Sequence, residues 1–203
     1  LLTGRNGSGK TMLLRCLSGL ENRYSGICRY RGKALPGALP MVRRETGFMF
    51  QNPMHQLLER SVLDDVTLAL RYQGYSHEQA AQAAAPYLES LELEDLQDRD
   101  PFSLSTGEQR RCLIAGLLAG GATTLLLDEP FTGLDYPGAQ KLIEHLVRIR
   151  EKGYSIVVCT HDVNKIVMHS DFCMVMARGE LVFSGSAEDL RHRQQQDADG
   201  LFL

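Results

Sequence analysis

The sequence predicts an α/β fold: a mainly parallel sheet flanked by helices, with an all-helical segment inserted into it. Two apolar runs predict the sheet. TTLLLDEP (123–130) and SIVVCTHD (155–162) are continuous apolar stretches, as strands buried on both faces of a parallel sheet are. Between them, GAQKLIEHLVRIREKG (138–153) carries Leu142, Ile143, Leu146, Val147 and Ile149 in one apolar stripe, so a helix connects the two strands. The insertion is predicted by a change of character. From about 54 to 111 strand signals stop and helical ones take over, with SHEQ (76–79) reading as a capping box before an alanine-rich run. A chain of 203 residues suffices for one such domain with a substantial core.

In chain order, LLTGRNGSGKTMLL (1–14) comes first. Gly4, four residues, then Gly9-Lys10-Thr11 fits the phosphate-binding loop G-x-x-x-x-G-K-[ST]. Its glycines let successive backbone N–H groups turn toward phosphate oxygens. Lys10 adds a mobile positive charge, and the Thr11 hydroxyl suits a magnesium ligand. Leu13, Leu14, Leu17 and Leu20 recur at helical spacing, so a helix is expected to aim its positive end at the phosphates. SGICRYRGKAL (25–35) alternates like strand and turn, and RETGFMFQNP (44–53) reads as a short strand ending at Gln51. Six acids fall between Glu89 and Asp100, which a solvated helical face explains.

LSTGEQRR (104–111) holds a second capping box, Ser105 with Glu108. It reads either as a plain, well-capped helix or as a helix N-terminus presented to a phosphate. CLIAGLLAGGATTLLL (112–127) has 16 residues with three glycines, too short and broken for a membrane span; a helix, a turn at Gly120-Gly121 and a buried strand are expected. Asp128 and Glu129 end that strand. Such a pair either caps the next helix or, beside a phosphate-binding loop, holds Mg²⁺ with the first acid and orients water with the second. FCMVMARGELVFSG (172–185) reads as a hairpin turning near Gly179.

Composition narrows the classes. Lys and Arg total 22 against 25 acids, a net charge of −3, which argues against nucleic acid as the main partner. Five cysteines without a C-x-x-C pair suit packed thiols in a reducing setting, and the six histidines show no ligand spacing. No charged start with an apolar core marks a secretory signal.

Taken together, the motifs resemble the nucleotide-binding subunit of ABC (ATP-binding cassette) ATPases. GRNGSGKT (4–11), FQNP (50–53), LSTGEQ (104–109), TLLLDE (124–129), GLD (133–135) and TH (160–161) occur in that family's order as P-loop, Q-loop, signature, Walker B, D-loop and switch histidine. The resemblance implies a P-loop NTPase with a RecA-like core at 1–53 and 112–203 and a helical subdomain of ABC type at 54–111. It implies ATP and Mg²⁺ as ligands and ATP hydrolysis coupled to transport. Gly4, Asn6, Gly7, Ser8, Gly9, Lys10 and Thr11 would hold the phosphates. Thr11, Gln51 and Asp128 would hold the metal. Glu129 would be the general base or water-positioning acid, with Gln51 sensing and His161 contacting the γ-phosphate. Ser105 and Gly107 would close over ATP bound by a second subunit, while Asp135 communicates across that dimer.

FQNPMHQLLERSVLDDVTLAL (50–70), with Asp64 and Asp65 in its short helix, and RRCLIAGLLA (110–119) resemble ATPases of energy-coupling-factor importers. Those take up cobalt, nickel or vitamins and their precursors. The implied partners are a second ABC ATPase in a homo- or heterodimer, an integral membrane coupling subunit and a substrate-binding membrane subunit, at the cytoplasmic face of the membrane. Nucleic acid is not an expected partner. Met54, Leu57 and Leu58 read equally as a groove for the membrane subunit and as local core. A soluble ABC ATPase that remodels ribosomes or nucleic acid is the alternative, as is a catalytically weak heterodimer partner; the sequence offers the former no second cassette or charged linker. Four departures stand out: Thr106 for a signature glycine, Glu108 for glutamine, Phe131-Thr132 before the D-loop, and only Leu1–Thr3 ahead of the P-loop. The last leaves the adenine-stacking aromatic without a counterpart, and a fragment or truncated gene model is expected.

Overall fold

The computed structural model describes residues 1–196. Its strands are β1 (Leu2–Thr3), β2 (Arg29–Tyr30), β3 (Lys33–Ala34), β4 (Thr46–Met49), β5 (Thr124–Asp128), β6 (Ser155–Cys159), β7 (Cys173–Ala177) and β8 (Glu180–Gly185). β2 and β3 form a small antiparallel hairpin, and the other six make one sheet in the order β4–β5–β6–β1–β7–β8. From β4 to β7 the neighbours are parallel; β8 returns antiparallel to β7 around Gly179. β1 is an interior strand, pairing Leu2 with Cys159 on one side and with Met174 on the other. The loop that follows it therefore emerges from mid-sheet, beside the end of β6.

The helices are α1 (Lys10–Leu17), α2 (Leu39–Glu45), α3 (Val62–Tyr72), α4 (His77–Ser90), α5 (Thr106–Ala119), α6 (Tyr136–Glu151), α7 (Val163–Ile166) and α8 (Ala187–Gln196). Both predicted capping boxes form, Ser76 with Gln79 and Ser105 with Glu108. α5 crosses 111–112 without a break, so the boundary expected there falls inside a helix. Its Gly116 faces α3: a β-carbon there would lie 3.6 Å from Val66 Cα, an ordinary contact distance. One buried cluster joins Val66 and Leu88 of the helical segment to Ile114, Leu125 and Leu142, so inserted and sheet-side helices share a core. Truncating such a residue to alanine costs about 2–5 kcal/mol. Among the described residues no helix is long and apolar enough to cross a membrane.

Three expectations need correcting. α1 stops at Leu17, because Gly19 at φ 71° turns the chain, so Leu14 is buried while Leu20 is exposed. β4 ends at Met49 rather than Gln51. Beyond it, the Gln56 side chain takes the place of a strand, accepting from Phe50 N–H at 2.7 Å and donating to the Phe48 carbonyl at 2.8 Å. The acids from Glu89 to Asp100 do not share a helical face. Only Glu89 lies in α4; Glu92 adopts a left-handed φ of 53° and pairs with Lys141, and Asp100 caps a single 3₁₀ turn. The five cysteines are free thiols, Cys112, Cys159 and Cys173 being buried.

Candidate functional site

The P-loop lies on the β7–β8 hairpin. Gly179 N–H donates to the Ser8 carbonyl at 3.1 Å, and Gly4, at φ 138°, presses so closely on the Met176 carbonyl that no β-carbon would fit. Gly9, at φ 100°, turns the chain into α1, whose first residue is Lys10. Lys10 is buried, and its Nζ donates to the carbonyls of Gly4 at 2.7 Å and Arg5 at 3.1 Å. One residue on, Thr11 Oγ1 donates to Asp128 Oδ2 at 2.9 Å, joining the loop to the end of β5. Asp128 is buried with its other oxygen, Oδ1, unpartnered. Burial and the neighbouring Asp128 carboxylate push the Cys159 thiol up, which keeps it neutral beside the acid.

Glu129 departs from the strand at a left-handed φ of 49°. Such a backbone is disfavoured for a non-glycine residue by about 1–2 kcal/mol, and it persists where the surroundings hold it. Here its N–H donates to the Cys159 carbonyl at 2.8 Å. Its Oε2 accepts from Thr160 Oγ1 at 3.0 Å, and Oε1 accepts from His161 N–H at 3.1 Å and from His161 Nδ1 at 2.7 Å. A carboxylate only accepts, so the bond places a proton on Nδ1 and leaves Nε2 facing outward. The His161 side chain is 56% exposed, against 10% for Glu129.

These groups line one open cleft of about 500 Å³, bounded by Asn6, Gly7, Ser8, Gly9, Lys10, Thr11, Met12, Arg15, Gln51, Asp128, Glu129, Thr132 and His161. The structure thus gathers P-loop, Gln51, both acids and the histidine around one space. It does not bring Ser105, Gly107 or Asp135 there. Ser105 caps α5 and is exposed: its Oγ donates to Glu108 Oε2 at 2.6 Å, its N–H donates to the same oxygen at 2.8 Å, and its carbonyl accepts from Gln109 N–H at 2.9 Å. Asp135 caps α6 by accepting from Gly138 N–H at 2.9 Å.

Residues 1–132 match the family model described as ABC transporter. The chain belongs to the ABC transporter family. It is 35% identical over 191 residues to an energy-coupling factor transporter ATP-binding protein, EcfA2, of Methanospirillum hungatei, covering 93% of this chain and 48% of that one. A protein of the same name from Bacillus cereus is 35% identical over 210 residues, matching 100% of this chain and 72% of its own. The structure of cbiO1 from Clostridium perfringens, part of the ABC transporter complex cbiONQ, superposes with a TM-score of 0.87 at 28% identity over 96% of this chain and 79% of that one. The chain thus spans about half of the first relative and roughly three quarters of the other two. The fold is that of an ABC-type P-loop NTPase.

Within the cassette, some residues at the cleft were not singled out by motif. Arg15, one turn beyond Thr11 on the same face of α1, lines the cleft with its guanidinium 6.0 Å from the Phe50 ring centre. The helical i, i+4 spacing from Thr11 is the signal that could have found it. Thr160 was legible only as the neighbour of His161, and Gln56 shapes the Q-loop through backbone bonds that no spacing displays. Leu57 is core, at 3% exposure, whereas Met54 and Leu58 are exposed. Local core thus describes Leu57, while Met54 and Leu58 lie on the surface.

Proposed function

We propose that this cassette binds ATP with Mg²⁺ and hydrolyses it as a peripheral subunit of an energy-coupling-factor importer, at the cytoplasmic face of the membrane. The observation that carries this is the Glu129 carboxylate, fixed by Thr160 and His161 at the rim of a P-loop cleft. Lys10, now bound to loop carbonyls, would turn to the β- and γ-phosphates, and the N-terminus of α1 would face them as well. The donor set fits a magnesium ion. Thr11 Oγ1, the unpartnered Asp128 Oδ1 and Gln51 offer oxygen ligands, and such sites leave the remaining positions to phosphate and water. When bound, the ion neutralises charge on the β- and γ-phosphates. Glu129 orients the attacking water and takes its proton, while His161 Nε2 is free to donate toward the γ-phosphate once protonated.

One cassette leaves the outer side of the cleft open. Ser105 and Gly107 from a second cassette would cover the γ-phosphate, with Asp135 meeting its partner across the same dimer, so ATP joins the two and hydrolysis parts them. Exposed Met54, tied through Gln109 to Pro101 next to exposed Phe102, gives the membrane coupling subunit an apolar foothold. The resemblance to energy-coupling-factor importer ATPases implies a metal ion or vitamin-like substrate, recognised by a separate membrane subunit.

The test uses the full-length protein, purified from native membranes in mild detergent. ATP hydrolysis slowed about a hundredfold or more in Glu129→Gln, together with co-purifying coupling and small substrate-binding membrane proteins, is the expected result. Ribosomal or nucleic-acid partners would overturn the transport reading, and normal turnover in Glu129→Gln would overturn the assignment of the base.

A further inference from the structure

The signature helix meets the segment that follows Glu129 along one face. Arg110 lies three residues after Gly107, so both occupy the same side of α5. Arg110 is 2% exposed, and its Nη2 donates to the backbone carbonyl of Thr132. A β-carbon on Gly107 would stand 3.7 Å from Leu134 Cδ2, an ordinary contact distance. Thr132 lines the cleft with Glu129, and Leu134 directly precedes Asp135, the cap of α6. One helix face therefore rests on the stretch that joins the candidate base to the D-loop acid.

A guanidinium is a poor choice for this position on stability grounds. Among the described residues no carboxylate pairs with it, and its Nε and Nη1 are buried without partners. Burial alone lowers its pKa, the mark of a charge held where charge is unfavourable. Buried donors are normally satisfied, and apolar side chains of similar volume often stabilise a fold in place of a buried charge. What the arginine adds over such a side chain is its hold on the Thr132 carbonyl.

We propose that Arg110 is a positioning residue that ties the signature helix to the Thr132–Asp135 segment, so that the two surfaces offered to a second cassette move as one body. The consequence for turnover rests on the function proposed above; the tie itself does not.

The experiment compares Arg110→Met and Arg110→Lys in the intact protein. Methionine keeps the length without the donor. It is expected to leave thermal stability undiminished and ATP affinity within about twofold, while kcat falls about tenfold with little change in KM. Amide exchange at Leu134, whose N–H donates to the Phe131 carbonyl at 3.2 Å, is expected to quicken in the nucleotide-free protein. Lysine keeps a donor and should recover most of both effects. A Met variant with unchanged exchange and unchanged kcat overturns the proposal. Where Met does not fold, Lys decides: slowed turnover with unaltered exchange at Leu134 overturns it, and exchange and kcat within about threefold of the unmodified protein support it. If the unmodified protein fails to hydrolyse ATP, the functional reading falls, while exchange at Leu134 still judges the tie.

Discussion

Two regions of this cassette carry the polar chemistry, and they are finished to different degrees. Around the P-loop, Lys10, Asp128 and Glu129 are buried, Thr11 is exposed, and all four are held by groups from separate elements: loop carbonyls, β5, and the end of β6. Around the signature, the Ser105 and Glu108 side chains bond each other, with Ser105 exposed and Glu108 half-buried. The first region is organised within one chain before any ligand arrives, which is what electrostatic stabilisation of a transition state requires. The second is complete as a helix cap. On the function proposed above, its donors would turn to phosphate once an anion displaced the Glu108 carboxylate from Ser105, and that is where a second cassette would contribute.

Four measurements would break or sharpen that contrast. Glu129→Gln removes the group on which the prearranged half turns, and kcat is expected to fall about a hundredfold to a thousandfold; dimers trapped by ATP should accumulate, as sedimentation would show. On the proposed function, Lys10→Ala would remove charge-assisted contacts to the phosphates, which should weaken ATP binding about a hundredfold in equilibrium titration. Ser105→Ala acts on the other half: the lost cap costs about 1 kcal/mol of stability, and ATP affinity of the single cassette should stay unchanged while the ATP-driven dimer weakens. Equal loss of monomer affinity would erase the division drawn here. The smallest effect is one of pH. Hydrogen bonds from the Ser105 hydroxyl and backbone hold the Glu108 carboxyl below its ordinary value of 4.5. A depressed carboxyl stabilises fully above its unfolded pKa and loses that contribution as pH falls. Glu108→Gln should therefore flatten the acid limb of the unfolding-versus-pH curve below about pH 4.5, measured by circular dichroism.

How legible each half was follows from how local its causes are. The P-loop, both capping boxes, the β5 and β6 runs and the Gly179 hairpin depend on neighbours within a few residues, so spacing displays them. Gln56 standing in for a strand rests on bonds six and eight residues back that follow no period, and Arg110 under Thr132 on a contact 22 residues along the chain. Composition carries no trace of those. Leu20 misled because helical spacing continues past a glycine that the backbone does not follow. Glu92 and its acidic neighbours misled for the opposite reason: a charge-rich run looked like one surface, yet the chain turns twice within it.

The continuity of α5 has a consequence for length. From Ser105 to Asp128 the chain is one helix, a four-residue turn at 120–123 and a strand. Adding or removing one residue within α5 would turn the signature by about 100° about the helix axis relative to the acids of β5. A residue added at Gly74, between α3 and α4, would only lengthen a turn. The spacing between these two stretches thus sets an angle as well as a distance.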